Sequence, residues 1–395
     1  MNLTISKKDI LCFVLLLSPL EPRYFELNAL FQRIYTIIML LSAVYLATYY
    51  IRNRIKPANI TAFILLLQAW LLISTILNHG LVSSMVIKFI KFFVLCMTVD
   101  YYSNDISRLV RCLMLHFEIY IYLNLISYII FPSGLVTRSN YAGGVSSEWI
   151  LGWHHYFKIW FIPALLVAWY YRDYFKKSSR CYLLTAAIIV TESFWGASTG
   201  LTGAILYLLL LLVPWFKRIL TPMRAMVLAG FLIISIVFLQ QYDYLNFLLS
   251  RVYSDNLDFS GRLTIWTSAI RAIQRSPLIG YGSRSASVDV VSILGLGEWA
   301  SHCHNHILQI MFMGGIVALV LFILMIYENI KACVRIWNLQ GTNTSRICLY
   351  AVFVYLIIGI TEQYEYVPMY LILLLPYYFC IARQKCEVVY TEEQY

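Results

Sequence analysis

The sequence predicts an all-α protein that crosses a membrane about twelve times, and three observations support this prediction. Of the 395 residues, 61% are apolar and 13% are charged, and the mean hydropathy is +0.71. A soluble globular chain is closer to half apolar and a quarter charged. Apolar runs near the ~20 residues needed to cross a hydrocarbon core of roughly 30 Å recur along almost the whole chain. Lys and Arg are concentrated in every second short loop between these runs.

Twelve apolar runs are predicted to be transmembrane helices. They cover residues 9–20, 29–51, 59–77, 84–101, 108–131, 156–172, 181–196, 199–216, 224–241, 304–328, 346–361 and 367–382. The first run is short, but no small-residue cleavage site follows it because residues 19–23 read PLEPR. We therefore interpret it as a span rather than as a signal peptide.

The distribution of basic residues predicts the orientation of these spans. With Lys7 and Lys8 in the cytoplasm, nineteen of the thirty basic residues fall in inner loops or in the two termini, and the short outer loops contain only Arg23. This agrees with the positive-inside rule and places both termini in the cytoplasm. The net charge of +10 is thus a topology signal and does not indicate a nucleic-acid partner.

One membrane domain with one outer subdomain is the predicted organisation. Residues 1–241 form the first nine spans, with a first long outer loop at 132–155. Residues 242–303 form a second, larger outer loop, and residues 304–395 form the last three spans and a cytoplasmic tail. Of nine cysteines, only Cys303 falls clearly in an outer loop, so a disulfide framework is not expected.

The loop at 242–303 carries five arginines and no lysine, namely Arg251, Arg262, Arg271, Arg275 and Arg284. Its central part predicts an amphipathic helix from about Gly261 to Arg275, capped by Ser260 and stopped by Pro277. At 100° per residue, one apolar stripe forms on this helix. Its members are Leu263, Ile265, Trp266, Ala269, Ile270 and Ile273.

The same helical geometry separates the arginines of the loop. Arg262 lies at the end of the apolar stripe, so it should point toward the bundle and meet either an anion or an acidic side chain such as Asp255 or Asp258. Guanidinium binds phosphate in a bidentate manner, which suits a pyrophosphate. Arg271 and Arg275 lie on the opposite face, where solvent exposure is the favoured interpretation.

Two short patterns follow the helix. Residues 277–284 read PLIGYGSR, a loop whose backbone N–H groups could approach a phosphate, although an ordinary turn is the favoured explanation. It is not a P-loop because no GK[ST] follows. Residues 302–306 read HCHNH at the outer mouth of the next span. A histidine there can act as a general base, with a metal site or a purely structural role as alternatives.

Other polar residues are less specific. Arg138 and several aromatic residues in the loop at 132–155 suit sugar binding, and they suit the interfacial aromatic belt at least as well. Lys88 and Lys91 in the fourth span and Glu192 in the seventh are intramembrane charges, for which function or snorkelling are both open.

Taken together, these motifs resemble the bacterial O-antigen polymerase and ligase superfamily. The resemblance rests on Gly261-Arg262 with Trp266, on the PLIGYG segment, and on His304-Asn305 followed by Leu308-Gln309, with Gly315 eleven residues after the histidine. It covers roughly residues 185–330. It implies a GT-C-like membrane fold and a metal-independent, inverting glycosyl transfer on the periplasmic face of the bacterial inner membrane, with no cofactor.

The resemblance also implies roles for individual residues. His304 matches the proposed base, Arg262 matches the arginine placed against the pyrophosphate, and Asn305 orients His304 or caps the helix. Relatives carry a further arginine where this chain reads Ala197-Ser198-Thr199-Gly200. The candidate substrate-binding residues are therefore Arg284, Arg251, Arg138, Arg271, Arg275, Asn305 and Trp266, the first three as replacements for the missing arginine.

Three functions remain open from the sequence. The favoured one is a polysaccharide polymerase of the Wzy type that acts on undecaprenyl-pyrophosphate-linked repeat units. The alternative is a ligase of the WaaL type that transfers the glycan to lipid A core, and the third is a transporter, for which repeat symmetry is lacking. The lipid-linked oligosaccharide, membrane lipid and a chain-length regulator protein are the expected partners. The sugars and the linkage cannot be read from the sequence.

Overall fold

The protein is a bundle of long helices. The computed structural model describes residues 6–139, 145–195, 197–239, 262–284, 290–296, 302–340 and 343–392. In these ranges the helices are α1 (Lys7–Leu17), α2 (Arg23–Leu27), α3 (Ala29–Asn53), α4 (Asn59–Leu77), α5 (Val82–Tyr101), α6 (Ile106–Ile130), α7 (Phe157–Phe175), α8 (Ser179–Trp195), α9 (Ser198–Leu212), α10 (Pro214–Ile219), α11 (Pro222–Leu239), α12 (Arg262–Arg275), α13 (Val291–Leu294), α14 (His306–Gln340), α15 (Asn343–Ile358) and α16 (Leu371–Glu392).

Each predicted span overlaps one of these helices, and the helices divide into two groups by length. In the described part of the chain, six segments are long and apolar enough to cross a membrane: 29–53, 59–77, 82–101, 106–130, 306–338 and 367–384. Shorter apolar helices cover 198–212, 222–234 and 343–358. The chain is therefore a polytopic helical membrane protein, and the figure of twelve spans stays a prediction.

The first long outer loop contains a small sheet that the all-α prediction did not include. Strands β1 (Val136–Ser139), β2 (Val145–Trp149) and β3 (Gly152–Trp153) pair in antiparallel order, with Val136 opposite Glu148 and Trp149 opposite Gly152. A 3-10 helix at His154–Tyr156 leads directly into α7. Almost every residue of α7 in its first four turns is buried, so this helix lies in the interior of the bundle.

Loops that are far apart in sequence meet at one end of the bundle. The N–H of Tyr24 donates to the carbonyl of Ile150 at 3.1 Å, and the N–H of Leu81 donates to Ser283 at 2.8 Å. The N–H of His306 donates to the carbonyl of Gly359 at 2.7 Å. These are the loops that the charge pattern assigns to the outer side, and the contacts bring them together.

Helix α14 is broken near its N-terminal end. Gly315 has φ +62° and ψ −157°, a conformation that is available essentially only to glycine. A Cβ atom at this position would lie 2.3 Å from the carbonyl carbon and oxygen of Leu278. The N–H of Ile316, freed by the break, donates to the carbonyl of Pro277 at 2.8 Å. The PLIGYG segment is thus packed directly into the broken turn.

Four successive N–H groups, those of residues 280–283, donate to other groups of the protein. Those of Tyr281 and Gly282 donate to the carbonyls of Phe312 and Met313, at 2.8 and 2.9 Å. The N–H of Gly280 donates to Ser276, and that of Ser283 to the hydroxyl of Thr75. Because these donors are occupied, they are not available to a phosphate, which agrees with the favoured interpretation of the segment as an ordinary turn.

Residues 277–283 and helix α4 together hold the broken turn of α14, and we call this arrangement the clamp. The indole N–H of Trp70 donates to the carbonyl of Gly314 at 2.7 Å. The hydroxyl of Ser74 lies within hydrogen-bond distance of the carbonyls of Met313 and Ile279, at 2.8 and 2.7 Å. Carbonyls left without helical partners are therefore satisfied by side chains of α4 and by backbone of the glycine-containing turn, as a buried helix break requires.

Candidate active site

Helix α12 has the two faces that the sequence predicted. Ile265, Trp266, Ala269 and Ile273 are buried, while Arg271 and Arg275 are exposed. The helix runs from Arg262 to Arg275, which confirms its predicted extent, and the chain turns at Ser276 before Pro277. The proposed cap Ser260 lies outside the described residues. Arg271 and Arg275 thus face away from the bundle.

Trp266 joins this helix to the histidine turn. Its indole is 1% exposed, and its N–H donates to the backbone carbonyl of His304 at 3.2 Å. Arg262 is one turn earlier on the same face of α12, since residues four apart are neighbours on a helix. Through Trp266, the helix therefore fixes the position of His304 relative to Arg262.

His304 has an uncommon backbone conformation. Its φ is +46°, in the left-handed region that few residues other than glycine and asparagine adopt. The ring is half-buried, and its Nδ1 is buried without a hydrogen-bond partner among the described residues. The imidazole of His302 packs edge-on against it, with ring centroids 3.8 Å apart. Backbone strain beside an unpartnered polar atom is typical of a functional site.

The residues that follow His304 hold the turn in place. The side-chain oxygen of Asn305 accepts from the N–H of Leu308 at 3.0 Å, and its amide donates to the carbonyl of Ile360 at 3.0 Å. Asn305 is therefore the N-cap of α14. The side chain of Gln309 accepts from the N–H of Cys303 at 2.9 Å. Asn305 and Gln309 of the motif thus hold the backbone around His304 in place.

His306 differs from His304 because both of its ring nitrogens are occupied. Nδ1 accepts from the N–H of Tyr364 at 3.2 Å, and Nε2 contacts the hydroxyl of Tyr355. The residue is 2% exposed. A nitrogen that accepts from a backbone N–H carries no proton, so Nε2 is the protonated nitrogen of a neutral ring. His306 is consistent with the structural interpretation that the sequence left open.

The partner of Arg262 is an acidic residue from a distant loop. A guanidinium nitrogen of Arg262 lies 3.5 Å from Oε1 of Glu362, between α15 and α16. Nζ of Lys158, at the start of α7, lies 2.9 Å from Oε2 of the same carboxylate. The sequence had suggested Asp255 or Asp258, which lie outside the described residues. One carboxylate therefore holds two cations at this end of the bundle.

The surroundings of these groups determine their charge. Burial, the neighbouring His302 and the positive charge of Arg262 lower the pKa of His304 to about 3. Burial lowers the pKa of His302 to about 4. Burial alone would raise the pKa of Glu362, but Lys158 and Arg262 together hold it below its ordinary value. At neutral pH both imidazoles are thus uncharged and Glu362 is ionised.

The segment that lacks the family arginine lies against this cluster. The hydroxyl of Thr199 donates to Oε1 of Glu362 at 3.1 Å. Glu192 is 3% exposed, interacts electrostatically with Lys158, and neither of its carboxylate oxygens has a hydrogen-bond partner in the described part of the chain. Lys158 and Thr199 therefore contact the same carboxylate, and Lys158 supplies a positive charge near Thr199. The sequence analysis did not predict a lysine in this cluster.

The other arginines that the sequence singled out lie elsewhere. Arg284 donates to the carbonyls of Tyr281 and Asn78, at 3.0 and 2.5 Å, and so braces the glycine-containing turn against α4. Arg138 lies on β1 with its guanidinium 3.9 Å from Glu148 and its side chain 45% exposed. Arg251 lies outside the described residues. The contacts of Arg284 and Arg138 do not bring either residue to Glu362.

Lys158 and Glu362 were missed by the sequence analysis. Both had a recognisable signal, because Lys158 is a cation near the start of a predicted span and Glu362 is an acid in a very short predicted outer loop. Intramembrane charge marks function by default, and the rule was applied to Lys88, Lys91 and Glu192 but not to Lys158. Pairing between segments two hundred residues apart has no sequence signature.

No group of three His, Cys, Asp or Glu side chains that could hold a metal ion is found among the residues that the structure describes. His302 and His304 approach each other, whereas the ring nitrogens of His306 face Tyr355 and Tyr364. The alternating histidines of the HCHNH run are thus divided between two different environments.

One family model matches a segment of the chain that includes both the histidine turn and α12. Residues 181–323 match the family model described as O-Antigen ligase. A candidate polysaccharide ligase of Rickettsia conorii is 38% identical over 107 residues, which is 25% of this chain and 25% of that protein. The match thus spans about a quarter of the relative. Residues 181–323 are therefore similar to the O-antigen ligase family, within a polytopic helical membrane protein.

Proposed function

We propose that the protein is a polymerase of the Wzy type, which joins repeat units of a surface polysaccharide carried on undecaprenyl pyrophosphate. The observation that carries the proposal is the placement of His304 beside Arg262, which Trp266 links through its hydrogen bond to the carbonyl of His304. The imidazole of His304 is neutral, and its Nδ1 has no hydrogen-bond partner among the described residues. A neutral imidazole can accept a proton, and a guanidinium can stabilise a phosphate anion. These are the two functions that glycosyl transfer from a pyrophosphate carrier requires.

The reaction is a single displacement. A hydroxyl oxygen of the acceptor sugar attacks the anomeric carbon of the donor glycan from the side opposite to the carrier. The bond between that carbon and the pyrophosphate oxygen breaks, and the carrier leaves with the electron pair. The hydroxyl proton passes to the His304 imidazole, and the configuration at the anomeric carbon is inverted.

Arg262 and Lys158 are the proposed anion-binding groups. In the structure both are neutralised by Glu362. A pyrophosphate carries more negative charge than one carboxylate, so it can compete for the two cations when the donor binds. It would also shield His304 from their positive charge, which favours protonation of the imidazole as the hydroxyl loses its proton. General-base catalysis of this kind contributes about 10²–10⁴-fold to a rate.

The proposal includes the finer topology. We include twelve spans in a GT-C-like arrangement, with both termini in the cytoplasm. This topology would place all six predicted outer loops in the periplasm, and residues 242–303 would be the catalytic loop. The positive-inside distribution supports this orientation. The contacts of Glu362 with Lys158, Thr199 and Arg262 support it too, since they join three such loops. A chain-length regulator protein remains an expected partner.

The ligase is the second candidate, and the family match supports it as it supports the polymerase. The matching family model is described as O-Antigen ligase, and the Rickettsia relative is named as a polysaccharide ligase. A ligase would use the same donor and the same two residues, with lipid A core as the acceptor. The absence of arginine from residues 197–200 is our reason for preferring the polymerase.

A polysaccharide gel from cells that lack the protein distinguishes the two. A polymerase defect leaves a single repeat on lipid A core and removes the ladder, because transport and ligation continue. A ligase defect leaves core without any repeat, while long glycan accumulates on the carrier lipid. An unchanged ladder would refute both and leave a transporter or another glycan as the explanation.

A further inference from the structure

A second polar cavity lies at the same end of the bundle as His304. It has a volume of about 370 Å³. Its lining comes from the chain between Pro19 and Glu26, from α5, from the start of α7 and from residues 365–368 before α16. Glu365, on its wall, is three residues from Glu362 in the candidate active site. Three residues of extended chain span at most about 11 Å, so the two regions are within reach of one short oligosaccharide.

The charges in the cavity balance. Its lining includes the cations Arg23, Lys88 and Lys91 and the anions Glu21, Glu26 and Glu365. Lys91 lies 2.8 Å from Glu21 and 3.0 Å from Glu26, and Lys88 lies 3.2 Å from Glu365. Arg23 pairs with Glu26 at 2.8 Å. Three cations thus face three carboxylates here, whereas Arg262 and Lys158 share the single carboxylate of Glu362, and this difference in net charge distinguishes the cavity from a site for a pyrophosphate.

A hydrogen-bond acceptor in the cavity wall lacks a donor. The side chain of Glu21 is 5% exposed, and while Oε2 is bonded to Lys91, its Oε1 is buried without a hydrogen-bond partner in the described part of the chain. A buried carboxylate oxygen without a donor is costly, and a ligand hydroxyl would satisfy it. The missing group at this site is therefore a donor.

Aromatic rings provide the apolar part of the lining. The rings of Tyr156 and Tyr366 meet edge to face at 5.5 Å, and Trp160 completes the aromatic surface. A pyranose presents hydroxyl groups around its edge and C–H groups on its faces, which fits rings placed beside paired charges. Lys88 and Lys91, the two intramembrane lysines of α5, thereby belong to a binding site that is separate from the donor site.

We propose that this cavity binds the acceptor saccharide, an uncharged or weakly charged sugar chain whose hydroxyl group is delivered toward His304. The inference rests on the proposed glycosyl transfer and adds the location of its second substrate. Donor and acceptor then lie on the two sides of the loop at 359–366, with Glu362 facing one and Glu365 facing the other. Transfer occurs where the two sides meet.

Saccharide binding to the full-length protein in phosphatidylcholine nanodiscs tests this inference. The probe is the oligosaccharide released by mild acid from the surface glycan of the bacterium that makes the protein, and its affinity is measured by equilibrium dialysis. Ser84→Trp fills the cavity mouth, because Ser84 is an exposed residue of its lining. We expect at least a tenfold loss of affinity. Ser83→Trp, on the adjacent exposed residue outside the lining, should bind as the wild type does.

Two further variants separate the possible explanations. Glu21→Gln keeps the shape of the side chain and should weaken binding several-fold, which keeps the test decisive if Ser84→Trp does not fold. Arg262→Lys should bind the saccharide normally while its glycan transfer falls by about 10–100-fold, so the binding readout is independent of the proposed reaction.

Wild-type affinity in both Ser84→Trp and Glu21→Gln would overturn the proposal. So would displacement of the probe by phosphatidylethanolamine in the nanodisc, since the cavity would then be a site for a zwitterionic lipid headgroup. Saccharide binding that depends on Ser84, combined with an unchanged ladder in cells lacking the protein, would retain the site and refute the polymerase.

Discussion

The His304 turn and the glycine-containing turn at 277–284 carry adjacent parts of one sequence motif, yet their polar groups are in opposite states. In the glycine-containing turn, the backbone donors of Gly280, Tyr281, Gly282 and Ser283 are all satisfied. At the histidine turn, Nδ1 of His304 is buried without a partner and the backbone is strained. A satisfied network stabilises a fold, whereas an unsatisfied polar atom is available to a substrate. The comparison divides the motif into an architectural half and a chemical half.

The largest effect should come from the architectural half. Gly315→Ala places a Cβ atom 2.3 Å from the backbone of Leu278 and forces a non-glycine residue into a glycine conformation. We expect a loss of about 3 kcal/mol or more of stability, with little folded protein in the membrane. Fluorescence-detected size-exclusion chromatography measures this. Gly230→Ala in α11, where a Cβ meets nothing within 4 Å, is the control and should accumulate normally.

Substitution of His304 should separate chemistry from folding. Asparagine tolerates the left-handed backbone but cannot act as a base near neutral pH. His304→Asn should therefore lower glycan transfer by about 10²–10⁴-fold while the protein accumulates at its normal level. Transfer from purified donor in nanodiscs is the measurement. If His304→Asn retained full activity, the histidine turn would belong with the architectural half.

A matched pair of arginines on α12 tests the anion-binding role. Arg262→Lys keeps the positive charge but loses the planar fork that binds phosphate bidentately, so we expect a decrease in transfer of about 10–100-fold. Arg271→Lys, on the exposed face of the same helix, should stay within about twofold of the wild type. Equal effects at both positions would contradict the assignment of Arg262.

The smallest effect should be on stability as a function of pH. The pKa of His304 is lowered to about 3 and that of His302 to about 4, so both rings gain protons more readily in the unfolded chain. The stabilising contribution is complete above the unfolded pKa of about 6.5 and decreases as the pH falls toward the folded values. A thermal melt at pH 7.5, 6 and 5 should show falling stability. The fall should be weaker in His304→Asn.

The sequence predicted the helices well because burial in lipid leaves a strong apolar signal in each span. It also predicted both faces of α12, since Arg262 and Arg271 differ in helical phase. It did not predict the sheet around Arg138, where the strands are short and lie within a polar loop. The pairing of Arg262 with Glu362 could not be predicted either, because it depends on how loops one hundred residues apart meet in space.

The role of the PLIGYG segment shows a limit of residue patterns. Its glycines are compatible with a phosphate-binding interpretation, but they are required because Gly280 and Gly282 pack against backbone. A Cβ atom at Gly280 would lie 2.6 Å from the carbonyl oxygen of Phe312. Glycine marks close approach in either case, and only the three-dimensional structure shows whether the approaching group is a ligand or another part of the chain.

Helix α4 contributes side chains to the clamp on α14, whereas residues 277–283 contribute main-chain groups, and this second part has a consequence for how the sequence can diversify. Amides are supplied by any residue except proline, so the clamp restricts the spacing of small residues more than the identity of the side chains between them. Leu278, which is 64% exposed within the clamp, can vary without loss of these bonds. Substitutions that accumulate in this segment should therefore change its side chains while preserving the spacing of its small residues.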